Sequence, residues 1–129
     1  MRSQTLTQVI LMEAVKSYAT ITGWILLVLG VVGFLWGGVP GFLEFDTVHN
    51  VVHLLLGAIL LWVAYGADEE MGVSVVKVLS VVYILLAVLG FALGGMGSAD
   101  VWGLLQLELG ENLVHLVLGI WGAWAAWSA

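Results

Sequence analysis

The chain has 129 residues, 62% of them hydrophobic and 9% charged, whereas an ordinary soluble domain is about half apolar and about a quarter charged. A chain this short cannot hide so much apolar surface from water, so lipid must be the solvent for much of it. Three basic residues against nine acidic ones give a net charge of −6 and exclude a nucleic-acid surface, while the absence of cysteine excludes disulfides, thiolate metal centres and thiol nucleophiles.

The segment 1–18 mixes polar and apolar positions and has no apolar core of the kind found in a cleavable leader. Val9, Leu11, Met12 and Val15 recur at roughly helical spacing, which predicts a short amphipathic helix lying at the interface. Four apolar stretches follow, at about 21–36, 48–66, 73–93 and 112–127. They are too long and too uniformly apolar for strands, and a helix needs about 20 such residues to cross a bilayer. The first reaches that length only if it begins near Tyr18. Gly37-Gly38-Val39-Pro40-Gly41 ends the first stretch, Gly66-Ala67-Asp68-Glu69-Glu70 the second, and Gly94-Gly95-Met96-Gly97-Ser98 the third. Glycine and proline stop helices there, and the acidic cluster stays in water. The expectation is an all-α, four-helix transmembrane bundle in the cell membrane. Arg2, Lys16 and Lys77 all fall on one side of it, which the positive-inside rule makes cytoplasmic together with both termini.

The bundle reads as a duplication. Residues 41–57 align without gaps on residues 103–119, so that Gly41, Leu43, Asn50, Val52, His53, Leu54, Leu56 and Gly57 meet identical partners. Asp46 meets Glu108, and further on Trp62 meets Trp124. The shared Asn-x-x-His followed by glycine carries the argument, because apolar matches arise by chance. Two-helix units at 19–66 and 73–128 each contain an even number of spans, so both enter the membrane in the same direction. They are then parallel repeats about an axis along the membrane normal. Gly23, Gly30, Gly33 and Gly37 share roughly one face of the first stretch, a packing surface for close helix approach. Trp36 and Trp102 at one boundary, and Trp62, Trp124 and Trp127 at the other, read as interfacial belts. Trp24 and Trp121 are not assigned.

The polar residues that stand out within the spans are His49, Asn50, His53, Asn112 and His115. Spacings of three and four put them on common helix faces, in the outer half of the bilayer. Polar groups at that depth point into the bundle, because lipid cannot hydrate them. The leading reading is structural: Asn and His bond across the repeat axis and fix helix register. A second is a cofactor site, with His49, His53 and His115 binding a divalent metal, helped by Asp46, Glu108 or Glu111. In a variant, His53 and His115 serve as axial ligands of haem or a pigment. No outer-side cation is available for haem propionates. The third is a polar cavity for a small molecule or lipid in a transporter or channel. No acid lies near the bilayer centre to relay protons, and no hydrolase, zinc-protease or phosphate-loop motif is present. An enzyme is therefore not expected, and no cofactor is expected in the leading reading. The expected role is a structural or accessory subunit, in a homo-oligomer or a larger membrane complex.

The stretch Val48-His49-Asn50-Val51-Val52-His53-Leu54-Leu55-Leu56-Gly57, with its partner Glu111-Asn112-Leu113-Val114-His115-Leu116-Val117-Leu118-Gly119, resembles a family of small four-pass prokaryotic membrane proteins catalogued as a domain of unknown function. The resemblance covers about residues 18–128. This chain departs from it in carrying Glu111 where aspartate is expected and in its few basic loop residues. It implies the fold and topology and brings no activity, substrate or cofactor.

Overall fold

The computed structural model describes residues 5–40, 42–101 and 105–129. Arg2, Gly41, Trp102, Gly103 and Leu104, on which parts of the topology, repeat and belt readings rest, lie outside the described residues. The order of elements is α1 (Leu6–Leu35), β1 (Gly38–Val39), β2 (Leu43–Glu44), α2 (Thr47–Tyr65), α3 (Glu69–Gly94), β3 (Ala99–Val101), β4 (Leu105–Leu107) and α4 (Leu109–Ser128).

From Leu6 on, the amphipathic helix expected to lead into the first span is continuous with it in α1. No glycine or proline interrupts the chain between Thr5 and Gly23, so nothing stops one helix from running through. Its early turns are also held by protein: Val15, Tyr18 and Ala19 are all buried. At 30 residues and about 1.5 Å per residue, α1 is longer than the roughly 30 Å hydrocarbon core. Asp46 and Asp68 start α2 and α3, each accepting a backbone N–H from three residues on, at 2.8 Å in both cases. Gly95, at φ 56°, closes α3 in the left-handed region that glycine tolerates.

Among the described residues, α1, α2 and α3 are long and apolar enough to cross a membrane. α4 is as long as α2, but Glu111, Asn112 and His115 occupy its first two turns and lower its hydropathy. The chain is thus an all-α, multi-span membrane protein. Its outward faces are apolar, with Val28, Leu55, Leu85 and Val117 more than half exposed.

The helices pack as two antiparallel pairs, α1 with α2 and α3 with α4, and the pairs make the same contacts. Gly33 lies under the Asn50 side chain, and Gly90 lies under that of Asn112. A Cβ added at Gly57 would meet Leu27 N at 2.8 Å and Gly23 O at 2.9 Å; one added at Gly119 would meet Ile84 N at 3.0 Å and Ser80 O at 3.2 Å. Gly33 and Gly90, Leu27 and Ile84, and Gly23 and Ser80 are separated by one constant interval. The longer interval between Asn50 and Asn112 is absorbed between Gly94 and Ala99. Of the expected glycine face, Gly23, Gly30 and Gly33 meet α2, while Gly37 lies past the helix end with open space around it.

The two short hairpins were not expected. β1 pairs with β2 in the register Gly38–Glu44 and Val39–Leu43. β3 pairs with β4 through Ala99–Leu107, Asp100–Gln106 and Val101–Leu105. Strands of two or three residues are too short for alternation to show in a sequence. Both hairpins stand at the same end of the bundle, where Gly110 N–H donates to Phe42 O at 2.9 Å.

The seams between the pairs differ. α1 meets α4 through Tyr18, whose hydroxyl donates to Leu118 O at 3.0 Å and whose ring stands edge-on to Trp121 at 4.9 Å. Its counterpart, between α3 and α2, closes where Val63 faces Gly72 and opens toward the hairpins.

Candidate functional site

The polar residues of α2 are set by the first turn of the helix. Asp46 accepts the His49 N–H, which places His49 and His53 one turn apart with ring centroids 4.2 Å from each other. Phe45 flanks both rings at 6.3 and 6.4 Å. In α4 the matching cap is Glu108, whose N–H donates to Glu111 Oε2 at 3.0 Å. Asn112 and His115 follow on the same helix face, and the His115 ring stacks on Tyr83 at 5.6 Å. His49, His53 and His115 are each only 8% exposed.

The cluster read from the sequence as one group divides in two. Asn50 and Asn112 lie inside the pairs, over Gly33 and Gly90. A compact amide there brings two helices together, a structural task done once in each pair. The histidines lie between the pairs. His49 Nδ1 is 3.3 Å from Glu44 O and 3.5 Å from Glu111 Oε1, so with its proton on Nδ1 it joins α2 to the start of α4. The bonds expected between Asn and His across the axis are not made; Asn50 Oδ1, both side-chain polar atoms of Asn112, His53 Nδ1 and His115 Nδ1 are buried without a hydrogen-bond partner in the protein. Nor do the three imidazoles gather as a metal site: among the described residues, no group of three His, Asp or Glu side chains is disposed to hold a metal ion. The rings are staggered along two helices, and His49 is turned toward Glu111.

The open part of the seam is a cavity of about 300 Å³, near the lower end of the range for small-molecule pockets. α2 supplies His49, Val52 and Leu56, and α3 supplies Leu79, Val82, Tyr83 and Leu86; Gln106, Leu107 and His115 complete the wall. Tyr83 and Gln106 were not singled out from the sequence. Tyr83 had one signal, as the sole polar-tipped ring in an otherwise apolar stretch. Gln106 had none, since its position depends on the hairpin.

At the hairpin end, burial and the neighbouring Glu44 carboxyl push Glu108 up from 4.5 to about 7. An acid raised in this way holds its proton more tightly when folded. Its stabilising contribution is complete below about pH 4.5 and is lost as the pH rises toward 7. Unfolding midpoints of the wild type should therefore fall across that window, and the Glu108→Gln variant should show a shallower decline. Parallel pH profiles for the two proteins would contradict the assignment.

Neither a curated protein nor a solved structure matches the chain. One family model does, that of the domain of unknown function DUF4383, over residues 16–128. With nearly the whole chain matched, including both Asn-x-x-His segments and the glycines they pack on, the protein belongs to the DUF4383 family.

Proposed function

We propose that the protein is a four-pass membrane protein, built from two parallel two-helix units, that binds a small and largely apolar molecule between α2 and α3. The repeated Asn-on-Gly and Gly-on-backbone contacts support the parallel duplication, since they treat α4 against α3 as α2 against α1. The same contacts run antiparallel along α3 from Gly90 down to Ser80, which supports α4 as a fourth span despite its polar first turns. The described cations, Lys16 and Lys77, lie at the end opposite the hairpins, in support of cytoplasmic termini. A reporter active only in the cytoplasm, fused after Ala129, should be active; a well-expressed but silent fusion would reverse the topology.

The cavity carries the functional reading. It lies nearer the hairpins than the level at which Tyr18 and Trp121 bridge the α1–α4 seam. A largely apolar cavity walled by α2 and α3, with polar side chains at one end, favours binding over the purely structural role. The role is binding and not catalysis. Organic extracts of the protein purified in lipid nanodiscs, read by mass spectrometry, should contain a small molecule in near-stoichiometric amount. That molecule should be missing from the Val82→Trp variant, whose indole fills the cavity. Identical extracts from both proteins would remove the reading.

A further inference from the structure

The cavity is polarised along its length. Along α2 its wall passes from His49 to Val52 and Leu56, and along α3 from Leu86 past Tyr83 to Leu79. With the helices antiparallel to their partners and both hairpins at one end, the His49, Gln106 and His115 side chains border the hairpin end, and branched apolar side chains form the rest. Val82 is on the wall and is 42% exposed on the outside of the bundle, so the cavity reaches the lipid-facing surface between α2 and α3. An occupant can arrive sideways from the bilayer.

The charge around the polar end selects the head group. Asp46 and Glu111 lie near His49 there, and Glu108 lies next to Glu111. The basic residues among those described are at the other end: Lys77 Nζ lies over the Trp127 ring at 5.3 Å, and Lys16 lies beside Asp68 and Glu69. Among the described residues no cation lines the cavity, so a phosphate or carboxylate head would find no counter-charge there, and the nearest charged groups, behind His49, would repel it. What the residues of that wall do carry, set back from its surface, is uncharged N–H and O–H groups. Tyr83, 4% exposed, and His115 each carry a buried polar atom with no partner in the protein, the phenol oxygen and Nδ1, and Gln106 adds an amide. Such groups are matched by an acceptor oxygen without charge.

We infer that the cavity takes a neutral, single-tailed lipid whose head presents carbonyl oxygens, the chemistry of an isoprenoid quinone. Its head lies toward His115, Tyr83 and Gln106, and its tail toward Leu56, Leu79 and the bilayer. The assignment rests on the reading of the cavity as a binding site. A volume of about 300 Å³ suits one ring and the beginning of one tail and is too small for the two chains of a phospholipid.

The test keeps the tail constant and changes the head. Decyl-substituted 1,4-benzoquinone, decyl phosphate and decyltrimethylammonium are titrated against the full chain in phosphatidylcholine nanodiscs. The quinone should bind at least about tenfold more tightly than either charged probe. His115→Leu and Tyr83→Phe should each weaken the quinone several-fold and leave decyl phosphate unchanged. Val82→Trp and Leu56→Trp, plugs from opposite walls, should abolish quinone binding, with circular dichroism verifying that each variant is folded. If all three probes bind alike and the plugs block all three, the head-group assignment fails and the binding site stands. If a folded plug variant binds every probe as the wild type does, or if no probe binds the wild type, both fail.

Discussion

Alanine in place of Gly57 is expected to lower the stability of the bundle by about 1–3 kcal/mol, the usual cost of forcing a methyl group into a packed interior. The added carbon would lie 2.8 Å from Leu27 N and 2.9 Å from Gly23 O. Both atoms are backbone, so no rotamer change relieves the clash and α2 must move away from α1. Small residues let helix backbones approach in lipid, where no hydrophobic force draws helices together. Separating the pair therefore loses dispersion contacts that nothing else replaces. Gly119→Ala should behave alike, because its methyl would meet Ile84 N at 3.0 Å and Ile84 Cγ1 at 2.6 Å. Gly37→Ala is the control: no atom lies within 4 Å of its added carbon, and the change should stay within about 0.5 kcal/mol. Unfolding in mixed micelles measures all three. Equal stability of Gly57→Ala and Gly37→Ala would contradict the close approach.

Tyr18→Ala is expected to have the largest effect of any single truncation in the chain. Tyr18 is fully buried, bonded to Leu118 O and packed on Trp121, and its ring fills the space that Gly122 leaves. Losing a buried aromatic side chain costs about 3–5 kcal/mol in soluble cores. The lower end applies here, since lipid is as apolar as the interior and the transfer contribution is small. Tyr18→Phe keeps the packing and removes only the hydrogen bond, worth about 0.5–1.5 kcal/mol. Chemical denaturation of the two variants should therefore separate packing from hydrogen bonding. Similar losses for both would mean that the hydroxyl, and not the ring, holds the seam.

What could be read from the sequence was the part with a period or a repeat. The apolar stretches lie within the four helices to within one residue, because span length and uniform apolarity leave helix as the remaining solution in lipid. The position of α4 was visible in the same way, although Glu111, Asn112 and His115 leave it less apolar than the other three. The N-terminal alternation pointed to an amphipathic helix leading into the first span, but not to how far that helix is continuous with it. Of the residues that repeat, Val15 is buried against other helices, while Val9 is exposed. Asn50, His53, Asn112 and His115 were found by the duplication itself. Their division into amides that pack on glycine and rings that stand between pairs was not legible, since it depends on which neighbour faces each side chain. Gly90 illustrates the limit: it aligns with Gly33 only after the interval between repeats changes within the loop following Gly94. The cavity was invisible for the same reason. Its walls come from α2, α3, α4 and β4, and no local pattern marks which side chains leave space between them.

The most direct test of the duplicated, four-pass arrangement is the depth of matched positions in the bilayer. The chain contains no cysteine, so a spin label can be placed at one chosen site at a time. Leu55 and Val117 are matched positions of α2 and α4, and Val28 and Leu85 of α1 and α3; all four are more than half exposed on the lipid face. Power saturation with oxygen and a water-soluble nickel complex gives the depth of each label. Equal depths within each pair, all inside the hydrocarbon, are the predicted result. A label at Val117 that is accessible to the nickel complex, while that at Leu55 is not, would show that α4 does not cross the membrane as α2 does and would contradict the arrangement.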